Sequence, residues 1–313
     1  MTDPSCGVLR ILSPGLFTLV VDFGRPHSRS LGVSVGGAAD RRSLALGNAL
    51  VSNPPGAAAL EICLAGPTLT ATCPIAAVVF GAPFQLTTAR RHLVTGHTFT
   101  LDADEELRIG GTPHGARAYL CIRGGLLVPA ILGSRSAFTP LRTGDELPCL
   151  TGSMQTRFLP AEVAETLPEG VTTLHVLDGA QASWFRAAEF FGAAATFRVS
   201  TETNRMGLRL RGEPLTLPAR ELVSEPVCPG SVQVTRDGQC IILGVDGQTI
   251  GGYPKIAQVI AADLDRLGQL RPGDAVRFQH VTIDEAESLY RQRKKATDQW
   301  LLRLRLSEIL KIQ

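Results

Sequence analysis

Short apolar runs of strand length, set between glycine- and proline-containing turns, restrict the fold of this chain more than any other feature. Ala76–Phe80, Ala118–Ile122 and Cys240–Val245 are rich in Val, Ile and Leu and stop after five or six residues. Such runs predict buried strands rather than long helices. With 32 glycines and 20 prolines as punctuation, the expected class is mainly β. At 313 residues, 44% hydrophobic and 19% charged, the chain can bury a substantial core as one large domain or two smaller ones.

Two segments break the strand pattern. Asp40 can cap a helix reaching about Val51, stopped by Asn53-Pro54-Pro55, and Ile283-Asp284-Glu285 opens a charged C-terminal helix. That second helix carries Ala286, Leu289, Tyr290, Trp300, Leu301 and Leu304 at helical spacing, an amphipathic pattern suited to packing on the body or on a partner.

The chain also echoes itself. Leu64-Ala65-Gly66-Pro67-Thr68-Leu69 is answered by Leu210-Arg211-Gly212-Glu213-Pro214-Leu215. Ala118-Tyr119-Leu120-Cys121-Ile122 leading to Leu141-Arg142-Thr143-Gly144-Asp145 is answered by Cys240-Ile241-Ile242-Leu243 leading to Leu270-Arg271-Pro272-Gly273-Asp274. Two related β lobes are expected, residues 1–165 and 166–282, followed by the amphipathic helix 283–313. Leu159-Pro160 and Leu167-Pro168-Glu169-Gly170 supply linker-like punctuation between the lobes.

Net charge is +2 with mixed signs, too weak a field for nucleic acid or an anionic membrane, so proteins and small molecules are the expected partners. Cysteines at 6, 63, 73, 121, 149, 228 and 240 make an odd count without a CxxC pair. That fits reduced thiols in a cytoplasmic setting better than a disulfide framework or a zinc site. The N-terminal residues, with Asp3 and Pro14 and no long apolar run, do not read as a signal peptide. No apolar stretch approaches the roughly 18–20 residues that cross a bilayer.

Gly32-Val33-Ser34-Val35-Gly36 matches the GxSxG pattern of a nucleophile elbow. The strand-dominated chain lacks the α/β alternation that elbow needs, which makes Ser34 a loop residue. No phosphate-binding glycine loop, dinucleotide turn, HExxH helix or Met-Lys-Met biotin carrier segment is present. ATP or biotin chemistry therefore calls for an unfamiliar site or another polypeptide.

The densest polar constellation is Gly244-Val245-Asp246-Gly247-Gln248-Thr249-Ile250-Gly251-Gly252-Tyr253-Pro254-Lys255. Its glycines permit close backbone approach, Lys255 offers positive charge, and Gln248 and Thr249 can hydrogen-bond an amide. A glycine-rich hairpin with a solvated lysine has the same pattern. Arg205, in Asn204-Arg205-Met206-Gly207, suits carboxylate or phosphate binding, or a bridge to Glu225 of Ser224-Glu225. Asp22, Gly24, Arg25, Gly36, Gly37 and Asp40 form one polar cluster in the first lobe and Gly133-Ser134-Arg135-Ser136 another, with turn and capping chemistry as the other use of such residues.

The order Ser13-Pro14-Gly15, Asp22-Phe23-Gly24-Arg25, Gly36-Gly37-Ala38-Ala39-Asp40, Leu60-Glu61 and Gly66-Pro67 resembles the allophanate hydrolase subunit 2, or biotin-dependent carboxyltransferase, family. The likeness continues through Gly115-Ala116-Arg117-Ala118-Tyr119-Leu120, Gly124-Gly125, Leu132-Gly133-Ser134-Arg135-Ser136, Asn204-Arg205-Met206-Gly207, Ser224-Glu225, Gln248–Lys255 and Leu270–Asp274, over roughly residues 8–290. It departs at a shortened loop between Phe138 and Leu141, at Pro83 and at Val21.

The resemblance implies two cyclophilin-like β-barrel lobes. It also implies one component of an ATP-dependent 5-oxoprolinase, which opens 5-oxoproline to glutamate with its A and B subunits and uses ATP at the level of the complex. Two alternatives share the same motifs: a carboxyltransferase that takes CO2 from biotin on a partner protein to urea or a related amide, and a non-catalytic regulatory partner of a kinase inhibitor of the B-subunit type. Under the first reading Lys255, Arg205 and Arg135 are the catalytic charges. Asp22, Arg25, Asn204, Ser224, Glu225, Gln248, Thr249 and Tyr253 bind and orient the amide or lactam, and no metal is expected.

Overall fold

The computed structural model describes residues 6–160, 163–164, 167, 169–192 and 195–309, so Pro168 of the expected linker and the first five residues lie outside it. The chain is mainly β, and its described residues fall into two compact units. One comprises those of Met1–Gly24, Asp40–Thr166 and Ala296–Gln313, the other those of Arg25–Ala39 and Leu167–Lys295.

The first unit holds two antiparallel sheets. One runs in the order Glu146–Leu150, Cys6–Ser13, Thr68–Ala71, Leu107–Ile109, Leu86–Thr88, His92–Leu93. The other runs Phe17–Val21, Ala59–Cys63, Arg117–Ile122, Ile75–Gly81, Phe99–Leu101. Leu9, Ile11, Leu69 and Leu107 of the first sheet share one core with Leu60, Ile62, Val79, Leu120 and Ile122 of the second. Each such side chain contributes about 1.5–3 kcal/mol by leaving water. The strands expected from Ala76–Phe80 and Ala118–Ile122 are therefore central ones. Arg117–Ile122 is buried at every position, because the helix Arg41–Leu50 covers the face opposite the core, where Gly47 lies against Cys121 and Phe80.

That helix begins where the sequence places it. The Asp40 carboxylate accepts from the Ser43 N–H at 2.9 Å and from the Ser43 hydroxyl at 2.6 Å, satisfying an otherwise orphaned helix-start donor. It ends at Leu50, and the Asn53 side-chain amide turns back to donate to the Ile122 carbonyl at 2.7 Å.

The second unit is a closed barrel of seven strands in the order Val171–Asp178, Lys255–Val259, Ser231–Val234, Cys240–Leu243, Gly207–Arg211, Phe197–Val199, Ala275–His280. A parallel pairing of the last with the first closes it. Leu174 and Val176, with Val232, Val234, Ile242 and Val276, fill the interior, and Phe190 stacks on Phe278 at 4.4 Å between centroids. Outside the barrel, Glu225–Pro226 and Ile250–Gly251 pair as a two-stranded ribbon.

The two halves of the Leu-Arg-x-Gly-Asp echo are the same turn. The Arg142 N–H donates to the Asp145 carboxylate at 2.8 Å, and the Arg271 N–H to the Asp274 carboxylate at 2.9 Å. Gly144 has φ +90 and Gly273 φ +95, a region open to glycine at little cost. Each turn leads directly into a strand, Glu146–Leu150 or Ala275–His280. The other echo is one of sequence only. Leu64–Leu69 joins two strands, whereas Leu210–Leu215 leaves the strand Gly207–Arg211 and enters none.

The C-terminal helix spans Ile283–Ile309. Thr282 and Glu285 cap it reciprocally, the Glu285 N–H donating to the Thr282 hydroxyl at 3.2 Å and the Thr282 N–H to the Glu285 carboxylate at 2.7 Å. Ala286 and Leu289 pack on Ile260, Ala262 and Val281, and Leu304 is buried. Tyr290 lies off this stripe and is 46% exposed. Among the described residues no helix is long and apolar enough to cross a membrane.

Candidate functional site

Lys255 begins the barrel strand that follows the glycine-rich loop, and its neighbours fix it. Its N–H donates to the Gln181 side-chain oxygen at 3.0 Å, and its carbonyl accepts from the Gln181 N–H at 3.0 Å. Its ammonium forms an ion pair with Glu225 on the ribbon, and the Gln181 side-chain amide donates to the same carboxylate oxygen at 2.8 Å. Lys255 is 9% exposed, so it is a buried, directed cation rather than a solvated lysine. The Lys255 ammonium first, then the Gln181 amide, outweigh desolvation and hold the Glu225 carboxyl below its ordinary pKa. The Glu225 carboxyl is therefore ionised at neutral pH. A cation held in a fixed direction suits Lys255 to stabilising a developing oxyanion.

The remaining polar groups of the loop surround Gly251 and Gly252. A Cβ on Gly251 would stand 2.6 Å from Gln233 Nε2 and 3.0 Å from Gln248 Nε2, and one on Gly252 would stand 3.2 Å from Ser224 Oγ. Gln248, Ser224 and Tyr253 are exposed, and the Thr249 carbonyl accepts from the Val227 N–H at 3.0 Å. The ribbon thus gathers Glu225, Lys255, Gln248 and Ser224 around bare backbone.

Arg205 pairs with Asp246 rather than with Glu225. Its Nε and Nη2 donate to the two carboxylate oxygens of Asp246 at 2.7 and 3.0 Å, and Nη2 also reaches the Gly37 carbonyl at 2.7 Å. The Gly36 N–H donates to the Val245 carbonyl at 2.9 Å. Arg205 therefore ties the glycine-rich loop to the segment 25–39. In that segment Arg25 is 3% exposed and donates its N–H to the Val35 carbonyl at 2.7 Å. The Asn204 side chain accepts from the Met206 N–H at 2.8 Å within the turn that presents Arg205. Ser34 stands in an irregular stretch after the short 3-10 helix Pro26–Leu31, without the strand and helix of a nucleophile elbow.

Asp22 and Arg135 belong to the first unit. The Asp22 carboxylate accepts from the hydroxyls of Ser134 and Ser136 at 2.6 Å each, from the Arg135 N–H at 2.6 Å and from the Gly24 N–H at 2.7 Å. The Arg135 Nε donates to the Val128 carbonyl at 2.9 Å, and the residue is exposed. Burial alone would raise the Asp22 pKa, but these four donors outweigh it and leave it lowered. A carboxyl depressed in the folded state stabilises the fold above its unfolded pKa and loses that contribution as pH falls through the depressed value. Asp22→Asn is accordingly expected to cost about 1–3 kcal/mol at neutral pH. In urea titrations the gap to the wild type should narrow only below about pH 3.9, and a gap independent of pH would refute this account.

The sequence matches the family described as carboxyltransferase domain, subdomain A and B, over residues 31–280, well over half of the chain. The chain belongs to this family. As a carboxyltransferase-domain protein it is 33% identical to the 5-oxoprolinase C subunit of Escherichia coli (strain K12) over 309 residues, 95% of this chain and 99% of that one. It is 28% identical to the urea amidolyase of Saccharomyces cerevisiae over 313 residues, 90% of this chain and 17% of that protein. The crystal structure of the K. lactis urea amidolyase matches it with a TM-score of 0.86 at 28% identity, over 95% of this chain and 20% of that one. The chain thus spans nearly all of the bacterial protein and a fifth or less of the urea amidolyases.

None of the sequence motifs contains Gln181, Gln233 or Arg29. Gln181 and Gln233 are buried, and Arg29 donates to the Val227 carbonyl beside the ribbon. Gln233 carried a signal: it is a polar residue between two valines in a strand, on the face opposite the apolar one.

Proposed function

We propose that this chain is the C-type subunit of a cytoplasmic, ATP-dependent 5-oxoprolinase, acting with the A and B subunits to open the lactam of 5-oxoproline to glutamate. The observation that carries this reading is the near end-to-end match to a protein named as that component. The lactam carbonyl is a poor electrophile, and charge that develops on its oxygen needs fixed donors. Lys255, pre-aligned by Gln181 and Glu225, supplies such a donor in the ribbon site; Arg135 is a further charge, and Arg205, committed to Asp246 and Gly37, holds the loop in place and adds charge beyond direct contact. Ser224, Gln248, Thr249 and Tyr253 orient the ring. Asp22, Arg25 and Asn204 act by holding the loops that carry these groups. ATP is assigned to the complex and to no residue of this chain.

The urea amidolyase likeness favours one second reading, transfer of a carboxyl group from biotin on a partner protein to urea or a related amide. Reconstitution separates the two. The chain mixed with the A and B subunits should release glutamate from 5-oxoproline only with ATP present and only when all three are present. Carboxylation of urea by a biotinylated partner, with no glutamate release, would replace the first reading by the second.

A further inference from the structure

Gln233 sits in the barrel strand Ser231–Val234, where Val232 and Val234 turn into the core and Gln233 faces outward. It is nevertheless 1% exposed. Its register partner across the antiparallel pair is Lys255, so both side chains rise from the same face of the sheet. Its Nε2 is buried and has no hydrogen-bond partner, an arrangement that costs stability unless something offsets it. That nitrogen is aimed at Gly251, the ribbon residue paired with Glu225, and Gln248 Nε2 converges on the same glycine. The other polar side chains fixing Lys255 are satisfied within the chain: Gln181 through both ends of its amide, and Glu225 through Lys255 and Gln181.

We propose that Gln233 is a substrate-binding residue of the ribbon site, whose carboxamide N–H donates to an oxygen of a small lactam or amide held beside Lys255. The proposal rests on the reading of this site as the one that takes the amide. Gly251 of the ribbon, held by two residue pairs, lies against this donor, and the exposed Gly252 beside it marks the edge from which a ligand would enter. Gln248 contributes a second amide donor from the exposed side.

Gln233→Met tests this, because methionine keeps the length and bulk of glutamine and removes only the amide. No bond made within the chain is lost with that N–H, so the melting temperature of the purified chain should hold or rise. In the complex reconstituted with the A and B subunits, the KM for 5-oxoproline should rise about tenfold, the usual scale for one lost hydrogen bond to a ligand, with a smaller change in kcat. Gln233→Glu, which keeps the shape but presents acceptors only, should raise KM as well. A fall in melting temperature of several degrees, or failure of the methionine variant to fold, makes the carboxamide a packing element and overturns the proposal. An unchanged KM beside an inactive Lys255→Met removes Gln233 from the site while leaving the site itself standing. An unchanged KM beside an active Lys255→Met overturns both.

Discussion

Lys255→Met is expected to lower turnover of the reconstituted complex by about a hundred- to a thousand-fold, the loss of about 2.7–4 kcal/mol that follows removal of one preorganised oxyanion partner. The fold should survive. Gln181 holds Lys255 through the main-chain N–H and carbonyl, and both bonds remain in the variant. Methionine keeps an apolar stem in a position that is 9% exposed. The group left behind is Glu225, whose side chain is 33% exposed and can take up water, so the stability cost is about 1–3 kcal/mol. The checks are kcat with 5-oxoproline and ATP, a thermal melt of the chain, and co-purification with the B-type partner. A loss below about tenfold, under about 1.4 kcal/mol of barrier, would make the Lys255–Glu225 pair an ordinary structural contact.

Arg205→Met should act mainly on stability. The guanidinium is 8% exposed and donates to both oxygens of Asp246 and to the Gly37 carbonyl. Removing it leaves a carboxylate and a carbonyl without their donor. Breaking a buried pair from one side costs about 3–5 kcal/mol. At roughly 2–4 °C per kcal/mol, the melt should fall by about 10 °C. Asp246 is 32% exposed in its side chain, which places the result toward the lower end of the range. Pairing the change with Asp246→Leu should restore part of the loss, because the second substitution removes the orphaned charge. A shift below about 2 °C for the single variant, or a double variant no better than the sum of its parts, would show that the clamp contributes little. If turnover stays low after the double variant has regained stability, Arg205 also contacts the substrate.

Both predictions concern residues that were legible in the sequence, while their partners were not. Lys255 stood out because it puts a positive charge beside glycines that permit close backbone approach, and Arg205 because a guanidinium suits carboxylate or phosphate binding. Glu225 lies 30 residues from Lys255, and Asp246 lies 41 from Arg205. Such pairings come from how barrel strands and their loops are brought together, and no period or spacing encodes them. The same holds for Asp22, whose donors Ser134, Arg135 and Ser136 lie 112 to 114 residues away.

What could be read from residue order alone is what local chemistry dictates. Apolar runs of strand length made the chain mainly β, Asp40 and Ile283-Asp284-Glu285 marked the helix starts, and two Gly-Asp turns repeated bond for bond because only their own four or five residues build them. Tertiary packing settled which way alternate residues face and what covers them. Gln233 is a polar residue between two valines in the sequence, and in the fold it is buried with Gly251 of the two-stranded ribbon against its amide. Burial converts an ordinary amide into an unpaired donor beside a fixed cation, since outside water no other partner offsets the lost hydration. That change of environment, rather than any change of residue type, is what the proposed site at this part of the barrel surface rests on.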